Sequence, residues 1–310
     1  MQFSHKHLLG LYELTREDIE FILDTSESFK EIQERPIKRV PTLRGITVAN
    51  LFFEPSTRTL ASFALAERRL SADIVNISTS TSSVRKGETL LDTARNLEAM
   101  KLDVVVIRHS VPGAPHFLAE RIQASVINAG DGAHEHPTQA LLDLLTVKEH
   151  FGRIEGLRIL IVGDVQYSRV ARSDIIGFTK LGASVAVCGP STLIPMWVDT
   201  MGVEVYYDLD RAILEFEPDI VYVLRLQLER QKSGLFPSIR EYVDLFGVGA
   251  ERMKKAKDTC VVMHPGPINR GIELTPEVAD GDRSLILRQV TNGVAVRMAV
   301  LYLVSGGEKE

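Results

Sequence analysis

A chain of 310 residues is long enough for about two domains, each with its own core. Its composition, 45% hydrophobic and 25% charged, is that of a globular protein, without low-complexity segments or short-period repeats. The net charge of -5 argues against nucleic-acid binding, which calls for a basic face, and the apolar runs are far too short to span a bilayer.

The first twenty residues carry charge early and hold no continuous apolar stretch, so no signal peptide is expected and the expected compartment is the cytoplasm. Cys188 and Cys260 both fall in strand-like apolar runs and read as core thiols of a reducing compartment.

Taken in chain order, Glu13–Ile32 reads as an amphipathic helix with Thr15 at its N-cap and Asp18 three residues on. A strand at Ile46–Phe53 leads to a helix from about residue 57 to 70, and a short strand follows at Ile74–Ile77. Ser78–Glu88 is a polar loop before a helix at about 89–100. "DVVVIRH" and "ASVINAG" look like buried strands. The long helix that starts after His136 has Pro137 in its first turn and Gly152 at its end.

A second series then begins. Its strands are "RILIVGD", "ASVAVCGP", "VEVYY", "DIVYVLR" and the run ending in "HPGP", with helices between them, the first at about 169–181. Gly234–Ala256 reads as a mobile segment, and Asn292–Gly306 as a closing helix that fits against either domain. Alternating strands and helices in both halves predict an α/β fold of two doubly wound domains, each a central parallel sheet flanked by helices. The expected boundaries are 1–136 plus the C-terminal helix at about 291–310, a linking helix at 137–152, and a second domain at 153–290.

Ligands of open parallel sheets bind beyond the carboxyl ends of the strands. Here those ends carry "EPSTRT", "RH", "DGAHEHPTQ", "GDVQYSR", "LRLQLERQ" and "HPGPINR", a concentration of arginine and histidine that suits an anion. In "EPSTRT" a helix N-terminus supplies free N–H groups, Ser56, Thr57 and Thr59 add hydroxyls, and Arg58 adds a bidentate fork for phosphate oxygens. The same residues also fit a capped helix with a solvated arginine. Neither a P-loop nor a dinucleotide-binding glycine motif is present.

"FFEPSTRT", "VRKGETLLDT", "IRH", "NAGDGAHEHPTQALLD", "VGDVQYSR", "LRLQLERQ" and "HPGPINR", in this order from residue 52 to 270, resemble the aspartate carbamoyltransferase catalytic chains. The resemblance implies transfer of the carbamoyl group from carbamoyl phosphate to the α-amine of L-aspartate, a step of pyrimidine biosynthesis, with no metal or other cofactor. Ser56, Thr57, Arg58 and Thr59 would hold the phosphate. Arg108 would bridge phosphate and carbonyl oxygen, and His136 would donate to that oxygen. Gln139 and the backbone carbonyls at Pro265 and Gly266 would accept from the carbamoyl amino group. The Gly266–Pro267 bond resembles the family's cis peptide. Arg169 and Arg225, helped by Gln227, would clamp the aspartate carboxylates. Ser82 and Lys86 would reach into a neighbour's site, which implies a homotrimer with shared active sites and closure around the substrates. Association with dihydroorotase or regulatory chains stays open.

The sequence departs from the family pattern S-T-R-T-R-x-S-F-E at Leu60 and Ala64, the two members of an expected i,i+4 ion pair, which are replaced together. Leu228 stands where a lysine is common. Two alternatives remain: another acceptor such as ornithine, and a non-catalytic phosphate-binding relative. Against ornithine, Pro265 replaces the cysteine of that family's His-Cys-Leu-Pro segment, and two arginines suit a dianion better than a cation.

Overall fold

The computed structural model describes residues 3–78, 89–227 and 237–306. The chain divides into two compact units: Met1–Leu145 with Thr291–Glu310, and Thr146–Val290. The division falls inside helix α5 (Pro137–Phe151), the element expected to link the domains.

The first unit is built on a parallel sheet of β1 (Thr47–Phe52), β2 (Asp73–Ser78), β3 (Val104–His109) and β4 (Ser125–Asp131), in the order β2-β1-β3-β4. Residues 48–52, 104–107 and 125–131 are buried, as expected of parallel strands covered on both faces. Around the sheet lie α1 (Arg16–Glu34), α2 (Thr57–Arg69), α3 (Leu90–Glu98) and the short α4 (Ala114–Ala119). The start of α1 is the expected one: the Thr15 side chain accepts from the Asp18 N–H, and Asp18 accepts in return from the Thr15 N–H.

The closing helix α11 (Ile286–Val304) starts earlier than periodicity alone suggests, and its part from Thr291 on belongs to the first unit. There Arg297, wholly buried, donates to Ser62 Oγ at 2.9 Å and lies 5.1 Å above the Phe63 ring. Its Nη1 also bonds the carbonyl of Gly293 at 2.9 Å, and a Cβ on Gly293 would stand 2.6 Å from that nitrogen. Only glycine leaves the guanidinium its place.

The second unit carries five parallel strands, β5 (Arg158–Val162), β6 (Ser184–Cys188), β7 (Glu204–Tyr206), β8 (Ile220–Val223) and β9 (Val261–Met263), in the order β7-β6-β5-β8-β9. Its helices are α6 (Arg169–Lys180), α7 (Leu209–Phe216), α8 (Ile239–Phe246), α9 (Ala250–Met253) and α10 (Pro276–Ala279), before α11 opens at Ile286. The described part of the segment expected to be mobile contains α8 and α9. Helix α8 is capped by Ser238 and buries Tyr242 and Phe246 in the core. Cys188 and Cys260 are buried free thiols, and burial pushes both up to about 12, as core thiols should be.

Candidate active site

Each sheet has one place where the strand order reverses. In the first sheet the chain winds outward from β1 to β2 on one side and from β3 to β4 on the other, so the crevice lies beyond β1 and β3. In the second sheet the equivalent place lies beyond β5 and β8. Ser56–Thr59 and Arg108 follow or end the strands of the first place, and Arg169, Arg225 and Gln227 follow those of the second, whereas His136 and Gln139 follow β4 and Pro265 and Gly266 follow β9.

Beyond β1, Ser56 takes the N-cap position of α2 in an extended conformation, yet its side chain does not cap the helix. Its hydroxyl donates instead to Thr59 Oγ1 at 2.9 Å. The first turn holds no acidic residue, and Thr57 and Arg58 are exposed. A helix start without a side-chain cap, with adjacent hydroxyls and an arginine, can receive an oxyanion, and the ordinary capped-helix alternative does not describe it.

Phe52 of β1 and Arg108 of β3 stand in register, so Arg108 emerges beside the cradle. Its guanidinium donates to Glu54 Oε1 at 2.8 Å and to the Ala129 carbonyl at 3.3 Å. Glu54 thus orients the arginine, a role the sequence reading did not assign although Glu54 opens the "EPSTRT" motif.

His136 precedes Pro137 and is buried. Its carbonyl accepts from the N–H groups of Gln139 and Ala140, which makes its backbone the start of α5. Gln139 is fixed by a carboxylate four residues on: its Nε2 lies 3.2 Å from both oxygens of the fully buried Asp143. A carboxylate accepts only from the amide nitrogen, so the amide oxygen of Gln139 is left to face a donor. The buried Arg297 is lowered to about 10 by burial, and the Asp143 charge opposes that shift. The turn ahead of His136 hangs on Asp131, which accepts from the backbone N–H groups of Gly113 at 2.7 Å and Glu135 at 3.1 Å and from Asn128 Nδ2 at 2.9 Å. Burial pushes its carboxyl up, but bonds from His134, Asn128 and Gly113 outweigh burial and hold it below the ordinary carboxylate range.

In the second unit, Gly163 follows β5, and its φ of 119° and missing Cβ are both required, since a Cβ would meet Tyr242 Oη at 2.8 Å. Asp164 follows and accepts from the N–H of Tyr167 at 3.1 Å and of Gln227 at 3.3 Å. Gln227 Nε2 donates to the Tyr167 carbonyl at 3.2 Å. These bonds tie the loop after β5 to the loop after β8, and so place Arg169, 4% exposed at the first turn of α6, near the strand ends that carry Arg225 and Gln227. Asp164 is the tie that sequence reasoning missed.

Beyond β9 the Gly266–Pro267 bond is cis and Gly266 has φ 64°. His264 Nδ1 accepts from the Gly266 N–H at 2.7 Å, and its Nε2 faces the buried Glu273 at 3.4 Å. Glu273 also accepts from the Asn269 N–H at 2.5 Å, so one buried carboxylate supports the turn that presents the carbonyls of Pro265 and Gly266. Ser82, Lys86 and Leu228 lie outside the described residues.

Comparison with known proteins identifies the family. Residues 6–149 match the model of the aspartate/ornithine carbamoyltransferase carbamoyl-P binding domain, and residues 155–304 match that of the Asp/Orn binding domain. The aspartate carbamoyltransferase catalytic subunit of Halothermothrix orenii is 61% identical over 99% of this chain and 98% of that protein. The Desulfotalea psychrophila protein of the same name is 60% identical over 99% and 96%. Among solved structures, aspartate transcarbamoylase from Trypanosoma cruzi in complex with N-(phosphonacetyl)-L-aspartic acid aligns with TM-score 0.86 and 32% identity over 97% and 96% of the two chains. Ornithine carbamoyltransferase from Pyrococcus furiosus aligns with TM-score 0.87 and 32% identity over the full length of both. With both domain models matched in order and close relatives along its whole length, the chain belongs to the aspartate/ornithine carbamoyltransferase family.

Proposed function

We infer that this chain is the enzyme that joins carbamoyl phosphate and L-aspartate to give N-carbamoyl-L-aspartate and phosphate, a step toward pyrimidines. The fold does not choose the acceptor, because aspartate and ornithine enzymes align equally well with it. The observation that carries the choice is the buried Arg169 held beside the strand ends of Arg225 and Gln227. Two guanidinium groups suit the two carboxylates of aspartate and would repel the cationic side chain of ornithine. Relatives 56–61% identical to this chain bear the aspartate enzyme's name.

The α-amine of aspartate attacks the carbamoyl carbon, an oxyanion forms on the carbonyl oxygen, and phosphate leaves with the C–O electron pair while the amine gives up one proton to the departing phosphate. Ser56, Thr57, Arg58, Thr59 and the first N–H groups of α2 hold the phosphate. Arg108 spans the phosphate and the carbonyl oxygen, and His136 donates to that oxygen, where negative charge develops. Gln139, through its amide oxygen, and the carbonyls of Pro265 and Gly266 accept from the carbamoyl NH2. Arg169, Arg225 and Gln227 fix the aspartate so that its amine is aimed at the carbon. Ser82 and Lys86 come from a neighbouring chain of a homotrimer. We assign the cytoplasm as its compartment; no helix among the described residues is long and apolar enough to cross a membrane.

The test is ureido-product formation from carbamoyl phosphate with L-aspartate, run beside L-ornithine. Turnover with aspartate alone is expected. Turnover with ornithine would reassign the acceptor site, and phosphate binding without turnover would make the chain a non-catalytic relative.

A further inference from the structure

The first unit holds a second polar cluster that the carbamoyl transfer does not use. His116 lies on α4, Asp131 ends β4, and His134 follows in the turn before α5. One ligand atom from each of the three lies within 4.8 Å of the other two. His134 Nδ1 donates to Asp131 Oδ2 at 3.1 Å; a cation held by both atoms would displace that proton, and the distance is close to the spacing of about 3.3 Å between ligands of a tetrahedral centre with bonds of about 2.0 Å.

His116 carries the second observation. Its Nε2 lies 3.1 Å from Glu13 Oε1, a pairing that keeps the proton on Nε2 and leaves the lone pair on Nδ1. That Nδ1 is buried and has no hydrogen-bond partner. A buried ring nitrogen without a partner, on an imidazole clustered with a second imidazole and a carboxylate, is a position that a cation can satisfy. Asp131 is already held rigid by Gly113, Asn128 and Glu135, so the cluster has one fixed anionic ligand. The two histidines are about one-third exposed, which leaves a path for the ion.

We propose that His116 Nδ1, Asp131 and His134 bind a divalent transition-metal cation, of which zinc is the type, with a further position open to water. Two imidazoles and one carboxylate are ligands of the right hardness for zinc, and Glu13 is the carboxylate that orients the His116 ring. The ion joins α4 to the turn after β4 and braces the segment that delivers His136. It takes no part in the chemistry of carbamoyl transfer.

The test uses the full-length protein, stripped with a chelator and titrated with Zn2+ alone in a calorimeter. One ion per chain is expected, with a rise in the thermal midpoint. Co2+ at the same site is expected to give the visible absorption of a low-coordinate centre. His116→Ala and His134→Ala should each weaken uptake by at least about tenfold. His150→Ala, which removes a histidine far along the sequence, should leave uptake unchanged. Asp131→Asn is avoided because Asp131 holds three other donors. Uptake below one ion per chain, or uptake that survives both histidine substitutions, overturns the site. Because the readout is binding of the metal alone, it stands apart from any result on aspartate or ornithine.

Discussion

Asp143 has no direct contact with substrate in the proposed reaction, yet it decides what Gln139 presents. Its two oxygens each take the Gln139 amide nitrogen at 3.2 Å, which turns the amide oxygen toward the carbamoyl NH2. Asp143→Asn keeps the shape but lets either end of Gln139 face the substrate. The expected result is a loss of about 10–100-fold in kcat/KM for carbamoyl phosphate, the range of a hydrogen bond to a charged group. Binding of inorganic phosphate, which has no NH2, should change little. An equal loss in both would mean that Asp143 only supports the helix. The i,i+4 spacing of Gln139 and Asp143 was legible in the sequence once α5 was read as a helix. The pairing of Arg108 with Glu54 was not, because those residues meet only when β1 and β3 lie side by side.

At the scale of elements, α2 is bound to β1 by an unusual pair. Glu67, fully buried, accepts from Asn50 Nδ2 at 3.0 Å, and burial raises its carboxyl to about 7 from an ordinary 4.5. Its Oε1 and Asn50 Oδ1 are both buried acceptors without a partner, so a proton on Glu67 supplies the missing donor. The folded protein binds this proton more tightly than the unfolded chain. The stabilisation is therefore complete below the unfolded value and is lost as pH rises through about 7, by up to about 3 kcal/mol. Glu67→Gln carries the donor at every pH. It should raise the urea midpoint at pH 8 and flatten its fall between pH 5 and pH 8; an unchanged slope would refute the assignment. Elements are legible in the sequence wherever a run is long and periodic, as in α1, α5 and the buried strands. Helices α4, α9 and α10 have only four to six residues, too few to show a period. Helix α8 did carry a legible start, Ser238 followed by Glu241, but it was hidden in a stretch read as mobile.

The whole molecule is where the proposed sharing of sites can be tested without any knowledge of Lys86's position. In the proposed cyclic trimer each site would take Arg108 from one chain and Lys86 from the next, so either Arg108→Ala or Lys86→Ala would destroy all sites when it is present in every chain. Mixing changes the count. A mixed trimer of either composition has one junction at which a chain with intact Arg108 is followed by a chain with intact Lys86. Random exchange at equal amounts leaves about three-quarters of trimers mixed, so about one quarter of wild-type activity per chain should return. Two inactive preparations that become active only after subunit exchange cannot be explained by sites contained within single chains. If no activity returns although mixed trimers are found by mass, Lys86 serves its own chain and the shared site is wrong. Loss of activity on dilution belongs to the same argument: a chain that lacks its neighbour's Lys86 keeps its phosphate cradle, binds phosphate, and does not turn over.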